Sequence, residues 1–208
     1  MTGTQRREQL LDVGRTLFAQ KGYDAVSVEE IAKAAGVTKP IVYEHFGGKE
    51  GLYAVVVDRE MRELLGRATE ALKSGGARAR MEQAADAFLG YIEDCPDGFR
   101  VLLRDSPAVA NTGGFGSLIG DVADRVDALL ASELKMRGFN RKMAPLYSRA
   151  VIGMFANVGQ WWLETGTPSR RVVVAHIVNM AWNGLEGLEP SPKVLPARAS
   201  VATKATRR

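Results

Sequence analysis

The fold of this chain is constrained most by one short stretch, SVEEIAKAAGVTKPIVYEHF. Ser27 and Glu30 form a capping-box pattern, in which the Ser oxygen accepts from the amide of Glu30 and the Glu side chain returns to the Ser amide, so a helix is predicted to start there. Gly36 ends that helix, because glycine adopts the left-handed conformation that a C-terminal cap requires. Thr38 caps a further helix, and Pro40 falls in its first turn, where a missing amide proton does little harm. Two short helices joined by a Gly-containing turn predict a helix-turn-helix.

The remainder of the chain also has a helical pattern. Apolar spacing predicts a first helix through Leu10 and Phe18 and a long helix from Lys49 to about Lys73. No stretch of sustained apolar-polar alternation predicts a strand. Helical periodicity between short segments rich in Gly, Pro and Asn predicts further helices at 77–94, 98–105, 117–136, 141–164 and 169–187. The expected fold class is therefore all-α. We expect an N-terminal three-helix helix-turn-helix domain at 1–48, a larger helical domain at 49–189 and a disordered basic tail at 190–208.

The net charge of +4 does not by itself indicate a surface for nucleic acid. Five of the 28 basic residues lie in 193–208, which contains no acidic residue. The body of the chain, residues 1–192, therefore has 23 basic and 24 acidic residues. Any DNA affinity of the body must come from a local basic surface. The tail is either a solvated end or an electrostatic arm on DNA. The single cysteine and the absence of a leader or long apolar run predict a cytoplasmic protein with no membrane partner.

The second helix of the predicted motif presents polar residues at its N-terminal end and outer face, where a recognition helix meets base edges and phosphates. Lys39 can donate to guanine, and Ile41 can touch a thymine methyl group. For Ser27 and Thr38 the alternative is a capping role alone, and for Tyr43 the alternative is a place in the core. Both alternatives stay open at this point.

The segment Ser27-Val-Glu-Glu-Ile-Ala-x-x-Ala-Gly-Val-Thr-Lys, followed by Val42-Tyr-x-His-Phe-x-x-Lys-Glu-x-Leu52, resembles the DNA-binding signature of the TetR family of bacterial regulators. The stretches PIVYEHFGGKEGLYAVVVDRE, RDSP and GQWWL are further similar to actinobacterial TetR-type regulators of fatty-acid synthesis. The resemblance implies a double-stranded DNA operator, with Tyr43 and Lys49 holding phosphates. The expected DNA contacts are Ser27, Thr38, Lys39, Pro40, Ile41, Tyr43, His45 and Lys49.

The same resemblance implies a homodimer that responds to a small hydrophobic effector, with long-chain acyl-CoA favoured. Asn157, Gln160 and Arg104 are possible polar contacts, and Arg100 or Arg104 is expected at a basic mouth. The expected cavity residues, for which core packing is the alternative, are Phe88, Tyr91, Ile92, Phe99, Leu102, Leu103, Phe115, Leu118, Ile119, Val122, Met154, Phe155 and Asn157. The expected dimer interface comprises Trp161, Trp162, Val173, Ile177, Met180 and Trp182.

An enzyme is not expected, because the sequence assembles no nucleophile, acid-base pair or metal ligands at a defined spacing. His45 and His176 lie far apart without a further ligand, and Gly113-Gly-Phe-Gly116 lacks the Lys of a phosphate loop. No cofactor or metal is therefore expected. A ligand-independent DNA-packaging protein is the other competing class. It is disfavoured by the large apolar C-terminal region, which non-specific binding does not require.

Overall fold

The computed structural model describes residues 1–104 and 115–193, with the backbone alone described at 115–123 and 125. All regular elements within these ranges are helices, which confirms the prediction of an all-α fold. In chain order they are α1 (Gly3–Lys21), α2 (Val28–Ala34), α3 (Lys39–Phe46), α4 (Lys49–Ala71), α5 (Ala77–Asp94), α6 (Pro96–Leu103), α7 (Phe115–Met136), a 3-10 turn (Arg141–Met143), α8 (Ala144–Thr165) and α9 (Arg170–Glu186).

The observed boundaries depart from the sequence-based ones at α8 and at α6. The helix expected from residue 141 begins at Ala144, after the 3-10 turn. We expected a helix at 98–105, but it begins at Pro96 and ends at Leu103. Pro96 occupies the first turn, where its missing amide proton leaves no intrahelical bond unmade. The prediction for residues 104 and 105 was wrong at Arg104, which has extended dihedral angles, and residue 105 lies outside the described ranges.

One hydrophobic core joins the N-terminal helices to the rest of the chain. Leu10 and Phe18 of α1 and Leu52 of α4 are fully buried in it, and it continues without interruption to Trp162 of α8 and Val173 of α9. The helix α4 contributes to both ends, because its first half packs against α1 and its second half packs against α5 and α7. Helix α4 therefore belongs to the packing of both the N-terminal helices and the larger helical region.

In the two described ranges no helix combines the length and the apolar character needed to cross a membrane.

Candidate nucleic-acid interface and ligand cavity

The turn between α2 and α3 is built around Gly36, whose φ of +64° lies in the left-handed region that favours glycine. The amide of Val37 donates to the carbonyl of Ala32 at 2.9 Å and closes the turn. Gln9 of α1 donates its side-chain amide to the carbonyl of Ala35 at 3.2 Å, which fixes the end of α2 against α1. These contacts hold α2 and α3 in a helix-turn-helix arrangement.

The outer side of α3 is open to solvent. Thr38, Lys39 and Pro40 are exposed, and the Tyr43 side chain is 54 % exposed, which excludes the alternative of a core aromatic at that position. Ile41 and His45 are half-buried at the edges of the same surface. Beneath them, Val42 is fully buried and anchors the helix in the core. The N-terminal end of α3 therefore presents hydroxyl, ammonium, apolar and phenol groups together.

Ser27 and Thr38 occupy the same position at the starts of their helices but make different contacts. The Ser27 hydroxyl accepts a hydrogen bond from the amide of Glu30 at 3.1 Å, as the capping box predicts. The second half of that box was wrong, because the Glu30 carboxylate accepts a hydrogen bond from the ammonium of Lys21 instead. The Thr38 hydroxyl makes no capping bond and is exposed. Capping thus accounts for Ser27 and leaves the Thr38 hydroxyl available to a ligand.

Lys39 lies at the first position of α3 and forms an ion pair with Glu29 of α2. The Lys39 ammonium donates a hydrogen bond to the Glu29 carboxylate and lowers the pKa of that carboxyl. Both side chains are more than half exposed, so water and salt screen their attraction. Lys39 is consequently held on the exposed side of α3 by a weak ion pair.

Lys49, expected as a phosphate contact, is half-buried at the start of α4. Its ammonium donates to the backbone carbonyl of Tyr23 at 3.0 Å and lies 4.3 Å from the centre of the Tyr23 ring. This cation therefore joins α4 to the loop between α1 and α2. An ammonium has three donors, so one bond to Tyr23 leaves others for a phosphate.

Sequence reasoning missed a contact that supports the recognition helix from α1. The guanidinium of Arg7 lies 4.8 Å from the centre of the Phe46 ring at the end of α3. A cation over an aromatic face contributes about 0.5–1 kcal/mol at exposed sites. No local signal predicts this pair, because the two residues are distant in sequence and meet only through the packing of α1 on the motif.

A cavity of about 680 Å³ lies between α4, α5, α7, α8 and α9. Its lining is largely apolar, with four charged residues: Arg80, Glu133, Arg137 and Glu186. The apolar lining includes Leu64 and Ala68 of α4, Leu72 just after it, Met81, Ala84 and Phe88 of α5, Val126, Leu129 and Leu130 of α7, Ile152 and Phe155 of α8, and Trp182 of α9. Volume and lining are those of a site for a small apolar molecule.

Among the thirteen expected cavity residues, Phe88 and Phe155 lie in this lining. The four most deeply buried lie in the closed core of α4, α5 and α6: Tyr91, Ile92, Phe99 and Leu102. Leu103 packs against that core, Met154 packs in a smaller cluster with Ala85 and Ile177, and Asn157 is exposed. The remaining four, Phe115, Leu118, Ile119 and Val122, lie outside the residues whose side chains are described.

The cations expected at the mouth of the cavity lie elsewhere. Arg100 donates to Asp97 on its own helix at 3.0 Å, and Arg104 approaches the carbonyl of Phe18 at the end of α1. The cavity has Arg80 and Arg137 instead. Arg137 donates to the carbonyls of Leu185 and Glu186 at 3.0 and 2.8 Å and so closes the end of α9, whereas Arg80 has no ion pair within the described ranges.

The expected dimer residues divide into three groups. Trp162, Val173 and Ile177 are buried within the chain itself, and the Trp162 indole donates to the carbonyl of Pro168 at 2.7 Å. Trp182 lines the cavity. Trp161 and Met180 are exposed, by 48 % and 58 % respectively. Leu146 of α8 and Val172 of α9 are further exposed apolar residues on the same two helices, so α8 and α9 both present apolar groups to solvent.

Comparison with known proteins agrees with this arrangement. The family model of bacterial regulatory proteins of the tetR family matches residues 10–56, and the tetracyclin repressor-like C-terminal domain matches residues 67–193. The HTH-type transcriptional activator FasR of Mycolicibacterium smegmatis is 28 % identical over 183 residues, which cover 87 % of this chain and 83 % of that protein. The first matched region contains the helix-turn-helix, and the second contains every cavity-lining residue except Leu64.

Two solved structures show the same fold over most of the chain. A TetR-like transcriptional regulator from Rhodococcus sp. RHA1 superposes with a TM-score of 0.71 at 24 % identity, covering 88 % of this chain and 97 % of that one. A tetR-family transcriptional regulator from Streptomyces coelicolor gives a TM-score of 0.68 at 28 % identity, covering 89 % and 82 % respectively. The fold is thus shared by both the N-terminal helices and the larger helical region.

Proposed function

The chain belongs to the TetR family of bacterial transcriptional regulators, and from this membership we propose that it binds a pseudo-palindromic operator as a homodimer under the control of a hydrophobic effector. In this proposal residues 1–48 read DNA, and residues 49–189 bind the effector and the second subunit. Of the basic tail expected at 190–208, residues 194–208 lie outside the described ranges. The observation that carries the proposal is that α3, which exposes its outer side, lies directly before the long helix α4, and that α4 also lines the apolar cavity.

The DNA contacts proposed for α3 follow from the exposure of its N-terminal end. Thr38 and Tyr43 supply hydroxyl groups for phosphates, and Lys39 supplies a donor for a guanine edge once it leaves Glu29. Ile41 provides an apolar contact for a thymine methyl group. In a dimer two such helices must enter major grooves about 34 Å apart or a multiple of it, so the spacing between subunits governs operator affinity.

The effector is proposed to act through α4. The start of this helix packs against α1 in the core. Leu64 and Ala68 line the cavity about four to five turns further along, and Leu72, just after the end of the helix, lines it as well. A ligand that displaces the second half of α4 therefore moves the first half relative to the partner subunit. A differential binding energy of about 1 to 3 kcal/mol would change operator affinity roughly 5- to 150-fold.

A long-chain acyl-CoA is the effector that we propose. An acyl chain matches the apolar lining, and each buried methylene contributes about 0.8 kcal/mol, which favours long chains. Arg80 is the cation available for the anionic head, because Arg137 is bonded to the end of α9. Resemblance of the sequence to regulators of fatty-acid synthesis supports the same class of ligand.

The test combines an operator selected from random DNA with a series of acyl-CoA chain lengths. We expect palmitoyl-CoA to change operator affinity, measured by fluorescence anisotropy, and acetyl-CoA to have little effect. An Ala68→Phe variant fills the cavity and should lose the response, whereas Ala128→Phe, at an exposed position of α7 outside the cavity lining, should keep it. Equal responses to all chain lengths, or a full response from Ala68→Phe, would remove acyl-CoA from the proposal while leaving DNA binding intact.

A further inference from the structure

Glu60 of α4 has a carboxylate side chain, and the residue is only 2 % exposed. It accepts a hydrogen bond from the Tyr91 hydroxyl of α5 at 2.8 Å and an ion-paired bond from the Arg15 guanidinium of α1 at 3.3 Å. A buried charge is costly unless partners compensate it, so both contacts are needed to keep Glu60 in place. One carboxylate thus joins three helices that are far apart in sequence.

The backbone of α6 covers this polar group at Gly98. A Cβ atom at that position would lie 2.2 Å from a Glu60 carboxylate oxygen and 2.7 Å from the Tyr91 hydroxyl, so only glycine allows the approach. Burial, together with the charge of Glu60, raises the pKa of Tyr91. The phenol therefore stays protonated at neutral pH and donates to Glu60, which fixes the direction of the bond.

Glu60 and Tyr91 lie next to one end of the cavity. Leu64 and Phe88 line the cavity and are about one helical turn from Glu60 on α4 and from Tyr91 on α5, respectively. An occupant that separates α4 from α5 at Leu64 and Phe88 would also draw Glu60 away from Tyr91, one helical turn further along. On its other side Glu60 holds Arg15, which belongs to α1 of the helix-turn-helix domain.

We propose that Glu60 is a positioning residue for the effector response, because it ties α1 to the spacing between α4 and α5. While the Tyr91 bond holds, Glu60 keeps Arg15 and hence α1 in one register on α4. When an occupant lengthens that bond, the carboxylate turns toward Arg15 and α1 shifts. This inference rests on the proposed function, since it requires an effector in the cavity.

The test uses Tyr91→Phe, which removes the hydroxyl and keeps the ring beside Phe99. Arg59→Gln is the matched control, because Arg59 joins α4 to Glu8 and Asp12 of α1 without touching α5 in the described contacts. Operator affinity is measured with and without palmitoyl-CoA after folding is checked by circular dichroism. We expect Tyr91→Phe to reduce the ratio of the two affinities by about threefold or more, and Arg59→Gln to leave the ratio within about twofold of the wild type.

A wild-type response in the Tyr91→Phe protein would overturn the role of Glu60. If palmitoyl-CoA leaves the wild-type protein unchanged, the proposed effector fails, and operator affinity without effector decides the present inference. Tyr91→Phe and Arg15→Gln should then shift that affinity in the same direction, and the double variant should shift it no further than the larger single effect, because both act through Glu60. Additive shifts, or none, would refute it. Should Tyr91→Phe not fold, Arg15→Gln is compared with Arg59→Gln in the same assays.

Discussion

Replacing Ser27 at the start of α2 should mainly lower the stability of the protein, whereas replacing Thr38 at the start of α3 should mainly weaken DNA binding. Ser27 uses its hydroxyl in a 3.1 Å capping bond, so Ser27→Ala should lower the free energy of unfolding by about 1 kcal/mol. For a chain of this length that corresponds to a fall in Tm of about 2–4 °C. Thr38 makes no capping bond and is exposed, so Thr38→Ala should cost less than about 0.5 kcal/mol.

Operator binding should show the opposite order. A hydrogen bond to a charged group contributes about 1.5–3 kcal/mol. We expect an exposed hydrogen bond to a phosphate to lie at the lower end of this range. Loss of the Thr38 hydroxyl should therefore weaken binding by roughly tenfold per half-site. Ser27→Ala should leave operator affinity within about threefold of the wild type, since its hydroxyl is already bonded to the Glu30 amide.

Thermal melting followed by circular dichroism and fluorescence anisotropy on the selected operator measure the two effects in the same samples. Two results would contradict these roles of Ser27 and Thr38. One is a Thr38→Ala protein with wild-type affinity, which would mean that the exposed hydroxyl does not meet DNA. The other is a Ser27→Ala protein that keeps its Tm but loses affinity, because the capping bond would then contribute nothing to folding.

Three other variants test the remaining assignments. Lys49→Ala should weaken binding to all DNA sequences and lower the salt slope by about 1; an unchanged slope with a lower Tm would show that the ammonium serves Tyr23 alone. Met180→Glu should dissociate the dimer in analytical ultracentrifugation, whereas Met136→Glu, at a still more exposed methionine of α7, should not; equal behaviour of the two would count against the interface. Lys39→Met should raise the pKa of the Glu29 carboxyl toward its ordinary value in an NMR titration, because the hydrogen bond from Lys39 is the main cause that lowers it, and a Glu29 pKa that does not move would contradict the ion pair.

The N-terminal helices could be predicted from sequence because their signals are local. Ser27 predicts a cap through the amide three residues later, and Gly36 predicts a turn through its own backbone conformation. Such signals need no knowledge of distant residues. They failed at two points: Lys21 takes the Glu30 carboxylate from the capping box, and the Thr38 hydroxyl makes no capping bond although the sequence predicts one.

The cavity could be predicted in kind but not in its residues. Helical periodicity identifies apolar faces, yet it does not say whether a face meets another helix or an empty space. Tyr91 and Phe88 both lie on α5, but Tyr91 is fully buried against α4 and α6 whereas Phe88 reaches the cavity. Leu64 and Ala68 of α4 and Leu72 just after it line the cavity but carry no signal beyond ordinary helical spacing.

The continuity of the core has a consequence for how a signal can pass along this chain. Apolar packing joins α1, α4, α5 and α6 without a flexible linker, so the helix-turn-helix domain cannot swing independently of α4. Apolar contacts are non-directional, however, and permit small sliding of one helix over another at little cost. Polar groups with fixed geometry join α1 to α4 at Arg59, which pairs with Glu8 and Asp12, and at Arg15, which pairs with Glu60. We infer that the Arg15–Glu60 contact sets the direction of such sliding, because Glu60 also accepts a hydrogen bond from Tyr91 of α5. A buried polar group that contributes little net stability can therefore still determine which register of α1 on α4 the protein adopts.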